Sequence, residues 1–226
     1  MKKVVKKKKL RIFRLLLLLL LLGGVFFLVD LYLDTKIENI IIKNTSYLED
    51  DYILELAKVS NYPSFYFTKS KDIEKRLMKS PYIKKVSISK GFYHVLTIDI
   101  VENKPLFFYE PTKKIVFANK KTTNQTNYNF RIPRVINYIP NTKYNSFINN
   151  MDKVSSQVLG DISDIEYTPN EYDKDRFLLY MDDDNSVYLT LTKFKMINYY
   201  EKVLPQLDGK KGILYLDSGN HFKIME

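Results

Sequence analysis

The longest apolar run in the chain lies near its N-terminus. Ile12 to Leu33 is broken only by Arg14 near one end and Asp30 near the other, and consecutive leucines fill Leu15–Leu22. As a helix rising ~1.5 Å per residue, this run reaches ~33 Å, enough to cross a hydrocarbon core of ~30 Å. Arg14 can snorkel to one surface and Asp30 sits about one turn from the other.

Beyond it the pattern changes to short alternating and helical segments. Ile37–Lys43 is rich in β-branched residues and predicts a strand, with Asn44-Thr45 turning the chain. Ser46 and Glu49 have capping-box spacing and predict a helix with Ile53, Leu56 and Ala57 on one face. A second helix starts near Ser70, places Ile73 and Leu77 on a shared face, and ends at Ser80-Pro81. In Val86–Ser89 and Leu96–Ile100 every second residue is apolar, which predicts an antiparallel hairpin turning at Gly91–His94.

The remainder alternates strands with two helical stretches. Leu106–Tyr109, Ile115–Ala118, Ile162–Tyr167, Arg176–Met181, Ser186–Thr190 and Gly212–Asp217 read as strands. Phe147, Met151, Val154 and Val158 keep helical spacing within Tyr144–Leu159, as do Ile197, Tyr200, Val203 and Leu204 within Phe194–Leu207. Asp208-Gly209 stops the latter helix, and the polar stretch Lys120–Asn129 reads as an exposed loop. The predicted organisation is a basic tail (1–11), a membrane helix (12–34), a βααββ module (35–104), a mostly antiparallel β-rich region with flanking helices (105–220) and a short C-terminal tail (221–226). The fold class is α+β.

Charge fixes the orientation. The net charge of +10 resembles a nucleic-acid signal until it is located. Lys2, Lys3, Lys6, Lys7, Lys8, Lys9, Arg11 and Arg14 carry most of it, and the rest of the chain is nearly neutral. This is a topogenic tail attracted to anionic lipid rather than a nucleic-acid face, and it places the N-terminus in the cytosol. A cleaved signal peptide shares the basic and apolar parts, but cleavage needs small residues where this run has Val25-Phe26-Phe27-Leu28-Val29.

Candidate chemistry is sparse. The chain has no cysteine, so disulfides, thiolate catalysis and Cys-ligated metals are excluded. Asp182-Asp183-Asp184-Asn185 suggests calcium, but the sixth position of an EF-hand loop would be Val187 rather than glycine, and a polar β-turn accounts for it. The two histidines, His94 and His221, sit in no catalytic motif, and seven glycines leave no phosphate-binding loop. Asn44-Thr45-Ser46 matches a glycosylation sequon, although capping explains Ser46 better. No cofactor or metal is expected.

Several segments resemble the bacterial DivIB/FtsQ cell-division family, and residues 37–104 look like its POTRA module. Ile40-Ile41-Ile42-Lys43-Asn44-Thr45 is similar to the family's opening strand and turn, with Lys43 in place of the usual glycine. Leu77–Val86, with Pro81-Tyr82-Ile83 inside it, is similar to the helix-end signature. Ile98–Leu106 resembles the strand ending in Glu-x-x-Pro, here Glu102 to Pro105, and Gly212–Gly219 resembles the closing strand with its Asp217-Ser218-Gly219. The hairpin departs from the family's Arg-x-Trp-Pro, with Lys90-Gly91-Phe92-Tyr93 in its place.

The resemblance implies a non-catalytic divisome scaffold that docks bitopic partners of the FtsL and FtsB/DivIC types by β-strand addition. It also implies a septal location, a part in controlling septal peptidoglycan synthesis and contact with the synthase complex. The candidate docking edge is the closing strand around Tyr215, Leu216, Asp217, Ser218 and Gly219; the same residues would otherwise simply finish the sheet, with Leu214 and Leu216 in its core. Two rival readings are a membrane-anchored envelope enzyme, for which no convergent residues are found, and a POTRA-type translocation factor, for which too little chain remains to build a barrel. Cell fractionation is expected to recover the full-length chain in membranes; a shorter soluble product would contradict the anchor.

Overall fold

The structure, a computed structural model, describes residues 12–124 and 128–225. The basic residues Lys2 to Arg11 and part of the Lys120–Asn129 loop lie outside the described residues. The contacts divide the chain into two units. The first is residues 1–43, 50–76 and 87–99; the second is residues 44–49, 77–86 and 100–226.

The first unit opens with helix α1, Ile12–Leu33, matching the predicted span. Leu15 to Leu22, Leu28 and Leu31 are exposed all round, as a helix solvated by lipid requires. Strand β1 (Asn39–Lys43) is shorter than predicted. Helices α2 (Asp50–Ala57) and α3 (Ser70–Leu77) follow, burying Ile53, Ala57, Ile73 and Leu77. Strands β2 (Ile83–Lys90) and β3 (Val95–Glu102) complete a three-stranded sheet in the order β1-β3-β2. β1 runs parallel to β3, in register from Asn39 with Val95 to Lys43 with Asp99. The alternation in β3 is as predicted, with Leu96, Ile98 and Ile100 buried.

The capping box is not used. Ser46 lies four residues before α2, and its backbone N–H donates to the Glu102 carboxylate at 2.9 Å, as do those of Tyr47 and Leu48 at 3.0 and 2.8 Å. This shared acceptor is the physical content of the Glu-x-x-Pro segment. The next residue, Asn103, is fully buried and donates through Nδ2 to the Pro81 carbonyl at 2.7 Å. Its backbone carbonyl accepts the Tyr47 hydroxyl at 2.8 Å. Lys104 Nζ donates to the carbonyls of Asp152 and Val154.

The second unit is built on a nine-stranded sheet. Its strands are β4 (Pro105–Tyr109), β5 (Lys114–Phe117), β6 (Thr122–Thr123), β7 (Arg134–Val135), β8 (Ile162–Tyr167), β9 (Arg176–Met181), β10 (Ser186–Thr190), β11 (Gly212–Tyr215) and β12 (His221–Ile224). The order is β12-β11-β10-β9-β8-β7-β4-β5-β6. Most neighbours are antiparallel, but β4-β7, β7-β8 and β10-β11 are parallel. Thr122–Thr123 lies within the predicted loop, while β7 and β12 were not predicted; β12 occupies most of the segment read as a tail.

The predicted helix over Tyr144–Leu159 is two helices, α4 (Asn141–Met151) and α5 (Ser156–Gly160). Ser155 caps α5 by accepting the Val158 N–H. Asn198 accepts the Ser155 N–H at 2.8 Å and donates to the Lys153 carbonyl at 2.9 Å, so the break leaves those groups paired. The four spaced apolar residues are nevertheless all buried. The second predicted helix is mostly 3₁₀, Leu191–Tyr199, with one α turn, α6 (Tyr200–Val203), and a final 3₁₀ turn. Asp208 and Gly209 end it with left-handed φ values of 51° and 73°.

Phe107, Phe147, Phe177 and Phe194 form the centre of this core, all fully buried. Phe147 stacks on Phe177 at 4.9 Å and meets Phe107 and Phe194 at 5.1 and 5.4 Å. Phe147→Ala is expected to cost about 3–5 kcal/mol in urea unfolding. Phe92→Ala, at a position 91% exposed, should cost about 0.5 kcal/mol or less. Equal losses would contradict this core.

Candidate functional site

The predicted docking strand is not an edge. β11 lies between β10, its parallel partner from Ser186 with Ile213 to Tyr188 with Tyr215, and β12, its antiparallel partner from Gly212 with Ile224 to Tyr215 with His221. The edge is β12. The chain reaches it through a turn made of Leu216, Asp217, Ser218, Gly219 and Asn220, in which Gly219 and Asn220 take positive φ.

The turn is held from the sheet and from the 3₁₀ segment. The N–H groups of Leu216 and Asp217 donate to the Tyr188 carbonyl at 2.7 and 3.2 Å. Lys193 Nζ donates to the carbonyls of Leu216 and Asp217 at 3.0 and 3.2 Å. The Leu216 side chain is buried, and Leu214 is in the core as the alternative reading expected. Asp217 accepts from Arg176 Nε at 2.7 Å, and that guanidinium lies 3.4 Å from the Tyr188 ring centre. Tyr188 in turn stacks on Tyr215 at 5.4 Å, and Tyr215 on His221 at 4.7 Å and 4°. Of the five predicted site residues, Ser218 and Gly219 are exposed, Tyr215 and Asp217 are half-buried and Leu216 is buried.

Gly212 lets β12 lie this close. A Cβ there would fall 2.2 Å from the Lys223 carbonyl oxygen and 2.8 Å from the Phe222 ring. The Phe222 ring packs against the core, while His221, Lys223 and Ile224 are exposed. The Met225 N–H donates to the Lys211 carbonyl at 3.0 Å. With Gly212 opposite Ile224, this makes that pair non-hydrogen-bonded, so Phe222 and Ile224 point their N–H and C=O away from β11. No further strand pairs with β12 among the described residues. The clue in the sequence was the alternation His221-Phe222-Lys223-Ile224 after Ser218-Gly219-Asn220, a short hairpin signal at a chain terminus.

The other motifs resolve structurally. Asp182–Asn185 is the turn between β9 and β10, with Asp184 at φ 67°. Asp183 accepts from the Tyr200 hydroxyl at 2.9 Å and from Asn185 Nδ2 at 3.0 Å, and Asn185 Oδ1 accepts the Gly212 N–H at 2.8 Å. Burial and its hydrogen bond to Asp183 push the Tyr200 phenol well above its ordinary pKa. His94 meets Glu38 at 3.2 Å and packs on Phe65 and Tyr66. Among the described residues, no group of three or more His, Asp or Glu side chains converges as a metal site would need.

Burial opposes ionisation of Asp217, but hydrogen bonds from Arg176 and Ser218 and the charge of Arg176 outweigh it, so its pKa is lowered. A lowered pKa adds stability that is complete above the ordinary aspartate value and is lost as pH falls through the folded one. Asp217→Asn is expected to cost about 3 kcal/mol at neutral pH, because Arg176 loses its charged partner. The difference from wild type in urea unfolding should shrink in acid; a difference independent of pH would contradict the pairing.

Residues 35–103 match the family model described as the POTRA domain, FtsQ-type. The cell division protein DivIB of Bacillus subtilis is 24% identical over 88% of this chain and 79% of its own. DivIB of Brevibacillus brevis is 26% identical over 80% and 72%. The solved major extracytoplasmic domain of DivIB from Geobacillus stearothermophilus aligns at 19% identity and a TM-score of 0.38, over 48% of this chain and 96% of that one, a likeness too slight to carry weight. The FtsQ-type module directly after an apolar N-terminal helix, and relatives aligned over most of both chains, support the DivIB/FtsQ family for this chain.

Proposed function

We propose that this chain is a non-catalytic scaffold of bacterial cell division, held by α1 and docking other bitopic division proteins at the open edge of β12. The observation that carries the docking is the outward pair of backbone groups on Phe222 and Ile224, on the four-residue strand at one edge of the nine-stranded sheet, whose other edge is the two-residue β6. An incoming strand would gain backbone hydrogen bonds there, with the exposed side chains beside them giving selectivity. The relatives named as cell division proteins support the divisome role. Tyr215, Leu216, Asp217, Ser218 and Gly219 then serve the interface mainly by setting where β12 begins, with Ser218 and Gly219 within reach of a partner.

The apolar helix fits a single-pass membrane protein. Charge on the basic tail favours a cytosolic N-terminus with the C-terminal units outside, and the relatives named as cell division proteins favour a place at the septum. We take 12–34 as anchor, 35–104 as POTRA module and 105–220 as the β-rich region, to which β12 is added. FtsL-like and FtsB/DivIC-like proteins are the partners this reading favours, and through them the septal peptidoglycan synthase complex; lipid meets the anchor and tail, and no nucleic acid is involved.

The test is co-purification of these partners from membranes with the tagged full-length chain. Ile224→Pro removes an outward N–H and leaves the bonds between β12 and β11 in place, so it should keep the fold and lose the partners. Leu216→Pro should lose them through damage to the turn. Unchanged recovery with Ile224→Pro would contradict docking at this edge.

A further inference from the structure

The first unit carries exposed aromatics where α1 leaves the bilayer. Phe92 and Tyr93, at the tip of the β2–β3 hairpin, are 91% and 85% exposed, and Phe67 is 62% exposed. Tyr93 and His94 both hold left-handed φ values of 56° and 53°, a costly conformation for side chains this large. The tip is thus shaped by two strained residues, and its rings pack on little of their own module.

These rings are tied to the end of α1 by a short series of contacts. Ser64 Oγ donates to the Leu33 carbonyl at 2.7 Å, and the Phe65 N–H to the Thr35 carbonyl at 2.8 Å. Tyr32, in the last turn of α1, packs its ring 4.8 Å from Tyr66. Tyr66 lies 5.8 Å from the His94 ring, and the Glu38 N–H donates to the His94 carbonyl at 3.1 Å. Phe67 adjoins Tyr66, and Phe92 and Tyr93 immediately precede His94. A helix that ends at a membrane surface therefore brings all three exposed rings to the depth where aromatic side chains gather.

We propose that Phe92 and Tyr93, with Phe67, insert into the interface of the leaflet at the C-terminal end of α1, giving the module a second membrane contact. The occupant is lipid because the patch continues the lipid-facing surface of α1 through Tyr32 and Tyr66. Charge selects a lipid type only weakly: exposed Lys36, Lys69 and Lys90 stand against Asp34 and Glu38, one cation in excess. The interface itself is recognised, and zwitterionic lipid suffices. Two membrane contacts fix the module's tilt where one flexible tether would leave it free.

The inference rests on α1 being embedded. The chain contains no tryptophan, so single substitutions report their own depth. Full-length Leu20→Trp and Phe92→Trp chains would be reconstituted in phosphatidylcholine vesicles carrying brominated lipids at defined depths. Leu20→Trp should be quenched most by deep labels. Phe92→Trp should show blue-shifted emission and be quenched by shallow labels, at a depth of about 5–10 Å into the headgroup and acyl boundary. Quenching at 20 with water-like, unquenched emission at 92 would overturn the second contact and leave the anchor standing. Absence of quenching at both positions would overturn the anchor and the inference together.

Discussion

A buried backbone N–H or C=O left without a partner costs about 1–3 kcal/mol, and meeting that demand shapes each part of this chain. The membrane helix meets it internally, bond by bond along its own length. Within the second unit, one carboxylate meets it for a whole segment: Glu102 accepts the N–H groups of Ser46, Tyr47 and Leu48. Asn103 and Lys104 continue the same work on the carbonyls of Pro81, Asp152 and Val154. The break between α4 and α5 is satisfied by the amide of Asn198. At the outer side of β12, one of the sheet edges, the same groups are left to solvent.

The elements legible in the sequence are those whose stability is local. α1 is fixed by composition alone, and β3 by its alternation of Leu96, Ile98 and Ile100 with polar neighbours. α3 was visible because Ile73 and Leu77 share a face. β9 was visible as an apolar run between Asp-containing turns, and β8 and β10 by their β-branched and aromatic residues.

What was not legible depends on partners distant in sequence. Ser46 and Glu49 form a plausible capping box locally, but Glu102 offers a better acceptor from the end of β3. Phe147 to Val158 reads as one helix because all four apolar positions do face the core; the break between them is set by Asn198, which no local pattern reveals. β7 is two residues long and exists because β4 and β8 flank it. For the sheet edge, the sequence reading took the closing strand, which lies one strand inside it. Tyr215 to Gly219 build the turn, and Gly212 opens the space, but the free backbone groups belong to β12, four residues that read as a tail.

We propose that a partner strand pairs with the outer side of β12. Amide hydrogen exchange on the full-length chain in membranes, with and without a bound division partner, tests it at single elements. The outward Phe222 and Ile224 amides are expected to exchange rapidly in the free chain and to become strongly protected in the complex. Those of β1, the free side of the other sheet, should be unchanged. Fast exchange at Phe222 and Ile224 in a complex that is otherwise intact would contradict it.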